Sequence, residues 1–125
     1  MATVKLLLVD DSATCIAFER VLLQSVASQI VTAADGEAAL AAAREHKPDL
    51  VLMDVMLPGM TGIECCRFFR ADSALREIPI IVVTTKDEQS VVSEAFAAGC
   101  TDFITKPIDK GELLRKIRGH LEARN

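Results

Sequence analysis

Asp49-Leu50-Val51-Leu52-Met53-Asp54 sets four apolar residues between two aspartates. A run so short and so uninterrupted reads as a strand buried on both faces of a parallel sheet. Others of the same kind lie to either side. Lys5-Leu6-Leu7-Leu8-Val9 ends in Asp10-Asp11, Ile78-Pro79-Ile80-Ile81-Val82-Val83 ends in Thr84, and Thr101-Asp102-Phe103-Ile104-Thr105 ends in Lys106. Strands of a parallel sheet point the same way, so their C-terminal ends share one edge, and ligands bind there near the reversal of strand order. The spacing therefore predicts that three carboxylates, a hydroxyl and an amine converge. Such a set suits a divalent cation beside a phosphoryl group.

Helical patterns fill the intervals. The first covers 12–25 and carries Phe18, Val21, Leu22 and Leu23; a short strand at 30–33 leads to Asp35-Gly36, with Asp35 as N-cap. The alanine-rich second helix, 37–46, stops at Lys47-Pro48. Pro58-Gly59 marks a loop, and Thr61-Gly62-Ile63-Glu64 is a capping-box pattern opening a third helix to about residue 71. A fourth spans 90–98 and ends at Gly99, a left-handed cap, and Asp109-Lys110-Gly111-Glu112 opens a fifth to about residue 122. Five strand–helix units in one domain, 1–125, imply right-handed crossovers with helices on both faces of the sheet.

The bulk properties bound the function. The 125 residues, half of them hydrophobic, suffice for one buried core without disulfides. No apolar run approaches bilayer thickness and the N-terminus lacks a signal-peptide core, so a cytoplasmic protein without membrane contact is expected. The net charge of −4 leaves no electrostatic footprint for nucleic acid. Cys15, Cys65, Cys66 and Cys100 form no C-x-x-C pair and read as small packing residues. His46 and His120 lie near helix ends without a nucleophile to serve and read as surface residues.

Each strand-end residue alone has an ordinary alternative: Asp11 capping the first helix, Asp10 solvated, Asp54 in a turn, Thr84 a plain strand former, Lys106 a surface lysine. Their joint placement on one edge is the stronger signal. At this point the chain resembles the receiver domain of two-component response regulators, close to the single-domain chemotaxis-type (CheY-like) regulators. The resemblance runs over 5–121 and rests on Leu8-Val9-Asp10-Asp11-Ser12, Ala34-Asp35-Gly36-Glu37-Ala38, Pro48-Asp49 through Asp54 to Pro58-Gly59-Met60-Thr61-Gly62, Ile80-Ile81-Val82-Val83-Thr84, and Ala98-Gly99-Cys100 through Lys106-Pro107.

The resemblance implies a doubly wound (βα)5 flavodoxin-like sandwich whose five parallel strands are ordered 2-1-3-4-5. It implies that Asp54 is the phosphoacceptor, that Asp11, Asp54 and the Met56 carbonyl hold Mg2+ with Asp10 acting through water, and that Lys106 and the Thr84 hydroxyl bind phosphoryl oxygens. Lys106-Pro107 would be a cis peptide. Thr84 and Phe103 would form the switch that remodels the face of the fourth helix, fifth strand and fifth helix, where family members bind targets or dimerise. The implied donor is a sensor histidine kinase or a histidine phosphotransfer protein, and Ile16 on the first helix is the candidate docking contact. The domain would catalyse only its own phosphorylation and dephosphorylation and act on no other substrate.

Two details depart from the family pattern. Thr85 stands where a small residue is usual, and Phe103 lacks the hydroxyl of the common tyrosine. Two other functions compete: a phosphorylation-independent pseudo-receiver that only binds partners, and a Mg2+-dependent phosphatase with an aspartyl nucleophile. The second would carry D-x-D after the first strand, whereas the aspartates here are adjacent.

Overall fold

The computed structural model describes residues 3–85 and 90–123. Five strands, β1 (Lys5–Val9), β2 (Gln29–Ala33), β3 (Leu50–Asp54), β4 (Ile80–Thr84) and β5 (Asp102–Thr105), alternate with α1 (Ala13–Leu23), α2 (Gly36–His46), α3 (Gly62–Ala71), α4 (Val92–Ala97) and α5 (Lys110–Ala123). All strand pairs are parallel and the sheet order is β2-β1-β3-β4-β5, as the resemblance implied.

Strand alternation assigns the two faces. Leu7, Val9, Val51, Met53, Ile80 and Val82 point to the layer of α2, α3 and α4, where they meet Ala39, Ala43, Cys66, Phe69 and Ala95. Leu6, Leu8, Leu50, Leu52, Ile81 and Val83 point the other way, against Leu22 and Leu23 of α1 and Leu113, Leu114 and Ile117 of α5. A strand buried on both faces has no polar stripe to spare, which is why these runs are continuously apolar.

Local signals set the helix ends. Ser12 caps α1 by accepting the Cys15 N–H, Asp35 caps α2 through Ala38, and Thr61 and Glu64 close a reciprocal capping box on α3. Asp109 accepts the Glu112 N–H at the start of α5. Lys47 ends α2 in the left-handed region at φ 50°, its N–H donating to the Ala43 carbonyl, and Pro48 beyond it does not continue the helix. Gly99 takes φ 108° just beyond α4, in the left-handed region anticipated for it. Lys106-Pro107 is cis.

Some expected bounds contract. Ile78 and Pro79 are buried but precede the β4 ladder, since proline donates no N–H. Residues 90 and 91 are 3-10 helical and the α-helical part of α4 begins at Val92, with no side-chain cap. Cys65, Cys66 and Cys100 pack in the interior as anticipated, and burial pushes their thiols up to about 12, 12 and 11.

Candidate functional site at the carboxyl edge of the sheet

Register brings the strand-end residues together. Val9 pairs with Met53, so Asp10, one residue on, stands beside Asp54; Asp54 pairs with Val83, and Thr84 with Thr105. The Lys106 N–H then donates to the Thr84 carbonyl at 2.7 Å, carrying its side chain to the same edge.

Carboxylate oxygens of Asp10, Asp11 and Asp54 lie within 4.8 Å of one another. Asp10 is buried at 4% exposure and Asp54 at 8%, whereas Asp11 is exposed. The alternative of a solvated Asp10 is therefore not what the fold does with it. Nor does Asp11 cap α1, since Ser12 has that place and Asp10 Oδ1 accepts the Ser12 N–H at 2.9 Å. Among the described residues no hydrogen-bond donor reaches the buried Asp10 Oδ2. A buried carboxylate oxygen in that condition fits a cation.

Asp54 Oδ1 accepts the Met56 N–H at 3.1 Å and Oδ2 lies 3.4 Å from Lys106 Nζ. Lys106 Nζ is also 3.7 Å from Asp10 Oδ2. Burial raises the Asp54 carboxyl above its ordinary range; the Met56 N–H and Lys106 work against that shift and the Asp10 charge adds to it. Burial works against the Lys106 charge too, but Asp54 and then Asp10 outweigh it and hold the ammonium above its usual value. Met56 enters the site through its backbone, its side chain being exposed. Thr84 Oγ1 is fully buried with no hydrogen-bond partner among the described residues. Three oxygen donors, one cation and an idle hydroxyl thus face a common edge.

The sequence profile of the response regulator receiver domain matches residues 6–118. The chain belongs to the response regulator receiver family. Protein PilH of Pseudomonas aeruginosa is 37% identical over 117 residues, 94% of this chain and 97% of its own length. The DNA-binding response regulator MtrA of Mycobacterium tuberculosis is 39% identical over 117 residues, which make up 94% of this chain but 50% of MtrA. The receiver thus spans about half the length of the first curated relatives it matches. Among solved structures, the chemotaxis response regulator CheY4 of Vibrio cholerae superposes with a TM-score of 0.86 at 33% identity, covering 95% of this chain and 99% of that one. The receiver domain of the sensor histidine kinase PA1611 from Pseudomonas aeruginosa, with a magnesium ion coordinated in its active-site cleft, gives 0.86 at 30% identity, covering 97% and 99%.

Further features surround this shared arrangement. Ile16, the candidate docking contact, is half-buried: it packs against the α1–α5 side of the core and also lines a surface cleft with Asp11, Ala17 and Arg20, and the exposed large apolar side chains of α1 are Phe18 (51%) and Val21 (61%). On α3, Phe68 lies at the surface while Ile63, Cys66 and Phe69 point inward, as their spacing required. Phe103 is half-buried, edge-on to Phe96 with centroids 6.2 Å apart, and Lys116 Nζ sits 4.9 Å from its ring centroid. Lys116 also bonds the Phe103 carbonyl and pairs with Asp102 and Glu112. His120, expected to stand free at the surface, lies 2.9 Å from Asp102. Among the described residues no helix is long and apolar enough to cross a membrane.

Glu19 was missed altogether. It is 2% exposed, four residues after Cys15 and three before Leu22, hence on the inward stripe of α1. That spacing was the available signal. Burial pushes its carboxyl from 4.5 up to about 8, with the Asp10 charge adding to the shift, Lys106 opposing it and Asp54 adding a little more. An acid with a raised folded value keeps its proton after the unfolded chain has lost it, so stability falls as pH rises from about 4.5 to about 8. In Mg2+-free urea titrations, Glu19→Gln is expected to escape this loss, its advantage over wild type growing across that window by on the order of a few kcal/mol. Parallel stability profiles for the two proteins would contradict it.

Proposed function

We propose that the chain is a Mg2+-dependent phosphoacceptor that takes a phosphoryl group on Asp54 from a histidine kinase or a histidine phosphotransfer protein. The observation that carries this reading is the Asp54 carboxylate itself: buried, 3.4 Å from Lys106 and within 4.8 Å of both other acids. Phosphoryl transfer asks little covalent chemistry of a protein and depends on positioning and charge neutralisation. Asp11, Asp54 and the Met56 carbonyl would hold Mg2+, with Asp10 supporting them through water. The ion, when bound, supplies neutralisation of charge on the entering phosphoryl oxygens. Asp54 Oδ1 is held by the Met56 N–H, which aims the carboxylate; Lys106 stands ready for one phosphoryl oxygen and the idle Thr84 hydroxyl for another.

The output follows from the same hydroxyl. Thr84 drawn to the acyl phosphate vacates space that Phe103 fills, leaving Phe96 and Lys116 and remodelling the α4–β5–α5 face for a target or a second receiver. Two pre-existing states with a small bias suffice. Kinase docking would use α1, where Ile16 supports a surface carrying the exposed Phe18. The receiver acts on no substrate but itself.

The test is incubation with acetyl phosphate, with and without Mg2+, read on a phosphate-affinity gel. The chain contains neither tryptophan nor tyrosine, so intrinsic-fluorescence quenching does not serve. A Mg2+-dependent shifted band is expected. No band, together with no Mg2+ binding by calorimetry, would instead favour a phosphorylation-independent interaction module.

A further inference from the structure

Three of the four cysteines are shut into the core, and the fourth is not. Cys65, Cys66 and Cys100 are buried, and burial pushes their thiols up to about 12, 12 and 11, out of range for thiolate chemistry near neutral pH. Cys15 is half-buried in the first turn of α1 and lines a cleft of about 290 Å³ beside the phosphoacceptor. Phe18, Pro107 and Ile108 give the cleft apolar walls, and Lys106 and Glu19 are its charged lining. Lys106 Nζ, which also faces Asp54 and Asp10, lies 3.8 Å from Cys15 Sγ.

Glu19 stands four residues after Cys15, hence one turn along the same helix face, where Cβ atoms are about 5–6 Å apart. Its carboxyl is 2% exposed, lines the same cleft, and forms no hydrogen bond or ion pair among the described residues. A buried carboxyl without a partner is costly to keep, and the cleft is the side from which a donor can reach it. The charges around it are Asp10 and Asp54 against the ammonium of Lys106, so a small cation is favoured there over an anion. A substituent two carbons long on the Cys15 sulfur brings its far end to Glu19.

We propose that Cys15 is a thiol modification site for small amine-bearing disulfides, the adduct lying in the cleft with its amine donating to the Glu19 carboxyl. The Cys15 sulfur, as thiolate, attacks one sulfur of the disulfide. A new S–S bond forms as the reagent's own breaks, and the departing half takes up the proton that Cys15 released. Cys15 is oxidised, half of the reagent is reduced to a thiol, and no other reactant is needed. The adduct stands where the free thiol faced Lys106, so it crowds the ammonium beside Asp54. Slower labelling of Asp54, the functional consequence, rests on the phosphoacceptor reading; the exchange itself does not.

The experiment treats the native chain at neutral pH with cystamine, hydroxyethyl disulfide or dithiodiglycolate, in high salt to screen its overall charge. Adducts are read by intact mass and peptide mapping, and each rate at Cys15 is divided by that of the urea-unfolded chain, so that reagent reactivity cancels. One adduct is expected, on Cys15, and none in Cys15→Ser. Cystamine should be favoured over the neutral reagent by at least about fivefold, on the order of one net hydrogen bond, and the anionic reagent disfavoured. Glu19→Met should bring the amine and hydroxyl reagents to within about twofold of each other, with Glu19→Ala reading the same loss should methionine prevent folding. A first adduct on another cysteine, no adduct on the native chain, no preference for cystamine, or a preference that survives loss of Glu19 would overturn the inference. The cystamine adduct should also slow labelling by acetyl phosphate with Mg2+ at least about threefold, reversibly with dithiothreitol, since small displacements of a positioned group cost much in rate. Unchanged labelling of the modified protein overturns its action on Lys106. Should unmodified protein take no label, the phosphoacceptor reading fails on its own, and the adduct pattern alone decides this one.

Discussion

Asp54→Ala is expected to abolish the Mg2+-dependent acyl phosphate, lowering labelling by more than about a hundredfold, while leaving the domain at least as stable as wild type. The first half follows from chemistry. Asp54 has one carboxylate oxygen aimed by the Met56 N–H and the other 3.4 Å from Lys106 Nζ. Asp10 is held in a similar way, but its Oδ2 is further from Lys106, at 3.7 Å, and shut off from solvent, and Asp11 is exposed, so neither is placed to stand in as nucleophile. The second half follows from burial. Burial holds the Asp54 carboxyl above its ordinary range, so its ionised form is worse off in the folded chain than in the unfolded one. A raised acid loses stability as pH climbs from its unfolded value through its folded one, so at neutral pH the native protein already bears that cost. Alanine removes it and ends the repulsion with Asp10, while Lys106 keeps Asp10 at 3.7 Å. A phosphate-affinity gel and a urea titration read the two halves separately. A shifted band persisting in Asp54→Ala would place the phosphoryl group elsewhere, and a large loss of stability would mean that Asp54 is chiefly a structural partner of Lys106.

Gly62→Ala should be the most damaging single methyl addition in the domain. A Cβ at Gly62 would stand 2.4 Å from the Asp54 carbonyl oxygen and 2.9 Å from Val55 Cα. Both obstacles are backbone, so no rotamer change relieves them. The approach is close because the Gly62 N–H donates to the Val55 carbonyl at 2.7 Å, stitching the first turn of α3 onto the end of β3. Adding the methyl pushes α3 away from the residue that carries the site. Overpacking of this kind costs roughly 3 kcal/mol, and the better helix propensity of alanine, about 1 kcal/mol, does not offset it. A domain of this size has only about 5–15 kcal/mol of stability in total. Gly119→Ala is the control: it lies inside α5 with nothing within 4 Å of its would-be Cβ, and it should gain roughly 0.5–1 kcal/mol. Chemical denaturation of the two variants should therefore give opposite signs. Equal effects would mean that the α3–β3 contact yields to an added methyl. Folded Gly62→Ala should also label with acetyl phosphate more slowly than its remaining stability accounts for, since Asp54 is displaced.

Much of this architecture was legible in the residues because the deciding interactions are local. A run such as Leu50-Val51-Leu52-Met53 has one stable use, a strand covered on both faces, and the polar residue at its end must lie at the edge of the sheet. The capping box at Thr61 and Glu64, the left-handed Gly99 and the stop at Lys47 are decided within three or four residues of chain. The family motifs then ordered the strands, which spacing alone does not do.

Tertiary structure decided which partner each side chain meets. Glu19 occupies an inward helical position that any apolar residue could fill, and its nearness to Lys106 exists only because β5 lies in the same sheet as β1. Asp10 and Asp11 are adjacent and chemically identical, yet one is buried with an orphaned oxygen and the other is exposed, a difference set by where the chain leaves the sheet. Ile16 is half-buried where Phe18 and Val21 are exposed, because apolar residues most of the way round a helix leave its rotation to be settled by packing. Asp102 and His120 sit 18 residues apart and meet through the packing of α5 along β5. Periodicity and caps are properties of neighbouring residues and survive in the bare sequence; burial, orphaned polar atoms and cross-sheet contacts are properties of the closed fold, and come into being only when distant segments are brought together.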